Sequence, residues 1–228
     1  MKIRELQLFT NELEKTKSFY TTILAFELIE ETENQFSLQV GWTRLTFVKS
    51  DKEHIYHFSF LVCKNQFEKA FDWIQNKTKI LNTDTNQHIA NFENWNAQSF
   101  YFYDGSRNLA EMITHYNLAY ENDVEFDQHS ILGISEIGLP TTDIEATNQL
   151  LEKKTTSKFW KGDFETFGTN GSDEGKILLP NYFIKTTWFP TTDIITPTPF
   201  TAILENENHY SKVIFDNNKL NISNLAIL

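Results

Sequence analysis

Residues 3–20, IRELQLFTNELEKTKSFY, decide the fold, because the chain returns to them without a gap at residues 134–151 as ISEIGLPTTDIEATNQLL. Ile3 matches Ile134, Glu5 matches Glu136, Leu6 matches Ile137, Leu8 matches Leu139, Thr10 matches Thr141 and Glu14 matches Glu145. A unit that recurs along a chain marks a repeated supersecondary element.

Each copy reads as a strand followed by a helix. Residues 3–10 alternate, with Leu6 and Leu8 on one face and Glu5 and Gln7 on the other, the period of a half-buried strand. Asn11 then offers an N-cap oxygen, with Glu14 three residues on as a weak capping box. Leu13, Thr16, Tyr20, Ile23 and Leu24 follow at helical spacing. A looser third copy begins at His57 in HFSFLVCKNQFEKAFDWI, where Phe58, Phe60 and Val62 alternate and Phe67, Ala70, Phe71 and Ile74 form a helix stripe. In all three copies an ionisable residue stands just before the apolar alternation and points away from the helix: Glu5, His57 and Glu136.

The remaining elements follow from the same patterns. Phe36–Val40 and Thr43–Val48 read as two strands around a Gly41-Trp42 turn, or as one bulged strand. Residues 76–96 are polar and unperiodic. Residues 99–103 form a strand with Phe100 and Phe102 inward and Tyr101 on the opposite face. Asp104-Gly105-Ser106 is a turn, and Leu109, Glu111 and Ile113 share one face of the strand leaving it. Residues 116–130 read as a linker, which divides the chain into an N-terminal domain, 1–118, and a C-terminal domain, 131–228. In the second half, 164–167 and 176–179 read as a short strand pair around a 168–175 loop, with further strands at 200–204 and 212–215. No second helix pattern is present there, so a fourth unit would have lost its helix.

Composition excludes several classes of function. With 20 Lys and Arg against 31 Asp and Glu, the net charge is -11, and no basic stripe offsets it. That argues against nucleic acid and anionic membrane surfaces as partners. One cysteine, Cys63, excludes an intrachain disulfide framework and a Cys-based zinc cluster, and reads as a small buried hydrophobe. The opening residues carry no signal or transit pattern, so the expected location is the cytoplasm. The sequence lacks G-x-G-x-x-G, G-x-x-x-x-G-K-[ST], H-E-x-x-H and G-x-S-x-G, the usual signs of dinucleotide, phosphate, zincin and serine-hydrolase sites.

A tandem strand-helix-strand-strand-strand unit with an ionisable residue in each opening strand resembles the vicinal oxygen chelate superfamily, which includes glyoxalase I, fosfomycin and bleomycin resistance proteins and extradiol dioxygenases. Two motifs carry the likeness. Asp104 to Glu111, DGSRNLAE, is similar to the family's Asp-Pro-Asp/Ser-Gly-Asn-x-x-Glu turn, with Gly for Pro and Arg for Gly. SFYTTILAFEL is similar to its Phe-Tyr...Leu-Gly-Phe helix end, with Ala25 in the place of Gly. The resemblance implies an α+β fold of tandem βαβββ units forming cup-shaped mixed sheets, the first two copies making one cup and the second half a reduced version.

It also implies a metal site drawn from the first strand of one unit and the first and last strands of its partner, here Glu5, His57 and Glu111, with Glu111 also the candidate catalytic residue. An imidazole and two carboxylates on one sheet face suit Mn²⁺, Fe²⁺, Ni²⁺, Zn²⁺ or Mg²⁺. Glu at the first position, where His or Gln is usual, adds a negative charge. Thr46 stands where glyoxalase I requires a fourth ligand, which disfavours that activity, and the second half holds only His209 where extradiol dioxygenases keep their triad. Other readings remain open: Glu5 paired with Arg44, His57 as a hydrogen-bonded structural histidine, and Glu136 as a structural residue or substrate contact. Trp42, Arg44 and Tyr101 are candidates to line a pocket. Two functions follow. One is a metal-dependent lyase, isomerase or transferase acting on a small oxygen-rich molecule. The other is a metal-free small-molecule binding protein of the bleomycin-resistance type. Monomer and homodimer are both compatible with the sequence.

Overall fold

The computed structural model describes residues 1–83 and 87–226. The first repeat forms strand β1 (Lys2–Thr10), helix α1 (Leu13–Ser18) continued by a π-helical turn over Phe19–Ile23, and strands β2 (Glu27–Glu31), β3 (Gln35–Val40) and β4 (Thr43–Lys49). The second forms β5 (His57–Val62), α2 (Phe67–Gln75), β6 (Ala90–Phe92), β7 (Ala97–Tyr103) and β8 (Leu109–His115). The third forms β9 (Ile131–Gly138), α3 (Ile144–Thr155), β10 (Phe159–Gly162), β11 (Phe167–Ser172) and β12 (Gly175–Pro180). The last unit has three strands, β13 (Phe200–Asn206), β14 (His209–Asp216) and β15 (Lys219–Leu225), and no helix among its described residues. The result is an α+β protein, mostly strand.

The strands make two sheets. One runs β15-β14-β13-β1-β4-β3-β2 and the other β10-β11-β12-β9-β5-β8-β7-β6. The first copy therefore joins the last, through antiparallel β1 and β13, and the second joins the third, through antiparallel β5 and β9. This corrects the expectation that the first two copies share a cup. Repeat spacing specifies the units but carries no information on which edges meet. The inward faces of both sheets and the helices share one core, which includes Leu6, Leu8 and Phe47 of one sheet, Phe58, Phe60 and Phe102 of the other, and Tyr20. Tyr20 lies against Phe26, Phe47 and Phe60.

Local chemistry explains where elements start. In α1 no side chain caps the helix. Instead of Asn11, Thr10 Oγ1 accepts from the Glu12 amide at 2.9 Å and lies 2.6 Å from Ser106 Oγ, which ties the helix start to the turn after β7. In α3 the Asp143 carboxylate accepts from the Ala146 amide at 2.9 Å, an ordinary N-cap. Edge strand β2 is exposed along its whole length and so shows no alternation for a sequence reading to find. The expected 168–175 loop is mostly strand: β11 and β12 turn at Asp173 and Glu174. At Gly168 in β11 a Cβ would come within 2.8 Å of Ile144, so the glycine marks the close approach of α3. Among the described residues no helix is long and apolar enough to cross a membrane.

Candidate functional site

Register places one row of side chains across five neighbouring strands. Lys176 of β12 pairs with Glu136 of β9, Glu136 with Ser59 of β5, Ser59 with Glu111 of β8, and Glu111 with Tyr101 of β7. Side chains at alternate positions share a face, so His57, two residues before Ser59, points the same way as this row. The Asp104 turn sets the register of β8. Its carboxylate accepts from the backbone of Ser106 and Asn108 at 2.8 and 2.9 Å, from Asn108 Nδ2 at 2.9 Å and from the Tyr20 hydroxyl at 2.8 Å. Asn108 Oδ1 in turn accepts from the Tyr56 amide at 3.0 Å, fixing β8 alongside β5.

His57, Glu111 and Glu136 bring one ligand atom each to within 4.8 Å of one another, and all three are buried. His57 Nδ1 lies 3.0 Å from the carbonyl oxygen of Leu109. A carbonyl only accepts, so Nδ1 carries the hydrogen and Nε2 presents its lone pair. Burial lowers the His57 pKa, keeping the ring neutral. Nε2 stands 3.4 Å from Glu111 Oε2. Adjacent ligands around a divalent ion with bonds of about 2.1 Å sit roughly 3.0–3.4 Å apart, so this edge already has coordination spacing. Glu111 is held well above the usual carboxylate range, first by burial and then by the charge of Glu136, while Ser99 and Tyr101 pull the other way. The donor set, one neutral imidazole and two carboxylates, fits a hard or borderline divalent cation.

The place equivalent to Glu111 in the third copy is apolar. Glu111 faces Ser59, two residues after His57, whereas Leu178 faces Gly138, two residues after Glu136. Three donors therefore line one side of a cavity of about 590 Å³ and leave the Leu178 side without one. Its walls are aromatic: Phe92, Trp95, Phe167, Trp188 and Phe189. The Trp188 ring lies over His57 with centroids 4.8 Å apart. Lys185 also lines the cavity, with its ammonium 5.8 Å from the Phe167 ring.

The structure brings His57, Glu111 and Tyr101 of the sequence-derived set together, and Tyr101 lines the cavity. It does not bring Glu5, Trp42 or Arg44 there. Glu5 is exposed on β1 in the other sheet, opposite Arg44 in register. Arg44 makes its ion pair with Glu30 instead. Trp42 packs beside Tyr120 under the Lys2 ammonium, 4.6 Å from its ring centroid. The carboxylate from an opening strand is thus Glu136, because β9 rather than β1 lies beside β5. The signal for Glu136 was already present in its repeat match to Glu5. Lys176 and Trp188 had no comparable signal.

Residues 2–112 match the model of the Glyoxalase/Bleomycin resistance protein/Dioxygenase superfamily. That part of the chain belongs to this superfamily. No curated protein matches the chain at the sequence level. Among solved structures, "putative dioxygenase from Bacillus subtilis subsp. subtilis str. 168" is similar over 98% of this chain and 84% of its own, with 13% identity and a TM-score of 0.63. Lactoylglutathione lyase from Agrobacterium tumefaciens is similar over 52% of this chain and 97% of its own, with 16% identity and a TM-score of 0.43. A point mutant of the fosfomycin resistance protein FosX from Listeria monocytogenes, complexed with Mn(II) and 1S,2S-dihydroxypropylphosphonic acid, is similar over 48% of this chain and 88% of its own, with 16% identity and a TM-score of 0.39. The full-length likeness to the Bacillus subtilis protein extends the glyoxalase/dioxygenase fold to the second half of the chain, beyond the matched residues.

Proposed function

We propose that the protein is a metal-dependent enzyme acting on a small oxygen-rich molecule by lyase, isomerase or transferase chemistry, with His57, Glu111 and Glu136 as the residues that would hold the ion. One observation carries this reading: three buried donor atoms lie within 4.8 Å of one another against an aromatic-walled cavity. A divalent ion held there would supply Lewis acidity toward the oxygens of a substrate. The chain's own residues do the rest. Leu109 fixes the His57 tautomer, and Tyr101, whose hydroxyl accepts from Ser99 at 3.0 Å, stands opposite Glu111 in register. Burial keeps the Tyr101 phenol protonated, its pKa well above the ordinary tyrosine value. Trp188 and Phe189 give a planar or apolar part of the ligand a dry wall.

A second reading, metal-free binding of a small molecule in the same cavity, draws on one observation. Glu136 is already paired with an internal cation, Lys176, at 3.2 Å, and a protonated Glu111 would leave the cluster neutral. Metal analysis of protein purified without a histidine tag separates the two. Stoichiometric metal that is lost in His57→Ala, Glu111→Ala and Glu136→Ala, but kept in Glu5→Ala, supports the enzyme. Absence of metal together with no thermal shift in Mn²⁺, Ni²⁺ or Zn²⁺ supports the binder.

A further inference from the structure

Lys176 is the only Lys or Arg that is fully buried among the described residues, with no exposed surface at all. Such residues are almost never buried unless paired. Its ammonium lies 3.2 Å from Glu136 Oε1 and 2.9 Å from His115 Nε2, beneath the rings of Trp160 and Trp95 at 4.7 and 5.6 Å. An ammonium only donates, so His115 Nε2 accepts and its hydrogen sits on Nδ1, 3.2 Å from Asp173 Oδ1. Two hydrogen-bond acceptors and two aromatic faces thus hold the ammonium in place. The cavity wall includes its partner Glu136 but not Lys176 itself.

We propose that Lys176 is a positioning residue that shares Glu136 with a bound divalent cation. It occupies Oε1 and leaves Oε2 for the ion, so Glu136 ligates through one oxygen and the positive charge beside it weakens metal binding. This rests on the metal-site reading above. The geometry separates two effects that a neighbour of a ligand can have. Orientation of the ligand strengthens binding, and losing such a partner typically weakens metal affinity about 10- to 100-fold. A fixed like charge beside the ion does the opposite, and in a buried site poorly screened by solvent it is the larger effect. Removing the charge should therefore tighten binding.

Mn²⁺ titration by calorimetry on metal-stripped wild type, Lys176→Met and Lys176→Gln tests this. Gln retains a donor for Glu136 and loses the charge, and it carries the test should the Met variant not fold. The expected result is binding at least about tenfold tighter in the variants than in wild type, opposite in sign to the loss of a merely structural partner. Equal or weaker binding in Lys176→Gln would overturn the proposal while leaving the metal site standing. No Mn²⁺ binding by any of the three proteins overturns the metal-site reading and this inference with it.

Discussion

Replacing Glu136 by Leu, a near-isosteric apolar residue, removes the carboxylate partner of a fully buried ammonium. Glu136 is 1% exposed and Lys176 0%, and their charged atoms are 3.2 Å apart. Breaking a buried pair from one side costs about 3–5 kcal/mol because the remaining charge is left uncompensated. Lys176 keeps His115 Nε2 and the face of Trp160, which places the expected loss near the lower end, about 3 kcal/mol. For a chain of this length that corresponds to a fall in Tm of about 6–12 °C. The double variant Glu136→Leu, Lys176→Met should recover most of the loss, since an apolar pair of similar volume commonly replaces a buried ion pair without penalty. Glu5→Gln is the control. Glu5 is exposed on the other sheet, so its effect should stay within about 0.5 kcal/mol. Urea denaturation of chelator-treated wild type, Glu136→Leu, Lys176→Met, the double variant and Glu5→Gln measures the cycle and its control. A loss below about 1 kcal/mol for Glu136→Leu, or a double variant weaker than either single one, would refute the view that these two groups neutralise each other in the core.

Three other outcomes follow from named contacts. Because Glu111 is held above its usual value of 4.5, the metal-free folded protein keeps a proton that the unfolded chain releases; stability should be greatest below about pH 4.5 from this group and decline as pH rises toward its folded value, and Glu111→Gln should flatten that part of a denaturation series from pH 5 to 8. Asp104→Ala strands the Tyr20 hydroxyl and three donors of the turn, and should lower stability by about 3 kcal/mol in thermal melts, with Asp104→Asn losing less. Gly138→Ala would bring a Cβ within 2.6 Å of the Trp188 ring; displacing that ring from His57 should change tryptophan emission and cost about 1–3 kcal/mol, and unchanged emission would show that Trp188 is not fixed there.

What the sequence determined by itself was the unit. Alternation of Leu6 with Leu8 and of Phe58 with Phe60, the helix stripe from Phe67 to Ile74, and the DGSRNLAE turn are local patterns, and each has a local cause: side chains alternate across a strand, and a carboxylate two to four residues from free amides closes a turn. From these the strand-helix units, the loss of the last helix, and the placement of His57 and Glu111 on one face were legible. Elements without a periodic core face, such as the exposed β2, were not.

Only the tertiary structure decided which copy completes the site. Glu5 and Glu136 occupy the same place in the repeat, and nothing within either copy distinguishes a carboxylate that will face water from one that will face His57. The distinction comes from edge pairing: β13 takes the free side of β1, while β9 takes that of β5. Lys176 meets Glu136 inside the third copy, through the parallel pairing of β12 with β9, and the segment carrying Trp188 folds over His57. Strand edges present the same backbone donors and acceptors whatever their sequence, so the partner is chosen by the packing of the whole chain, and the chemistry of the cavity is settled with it.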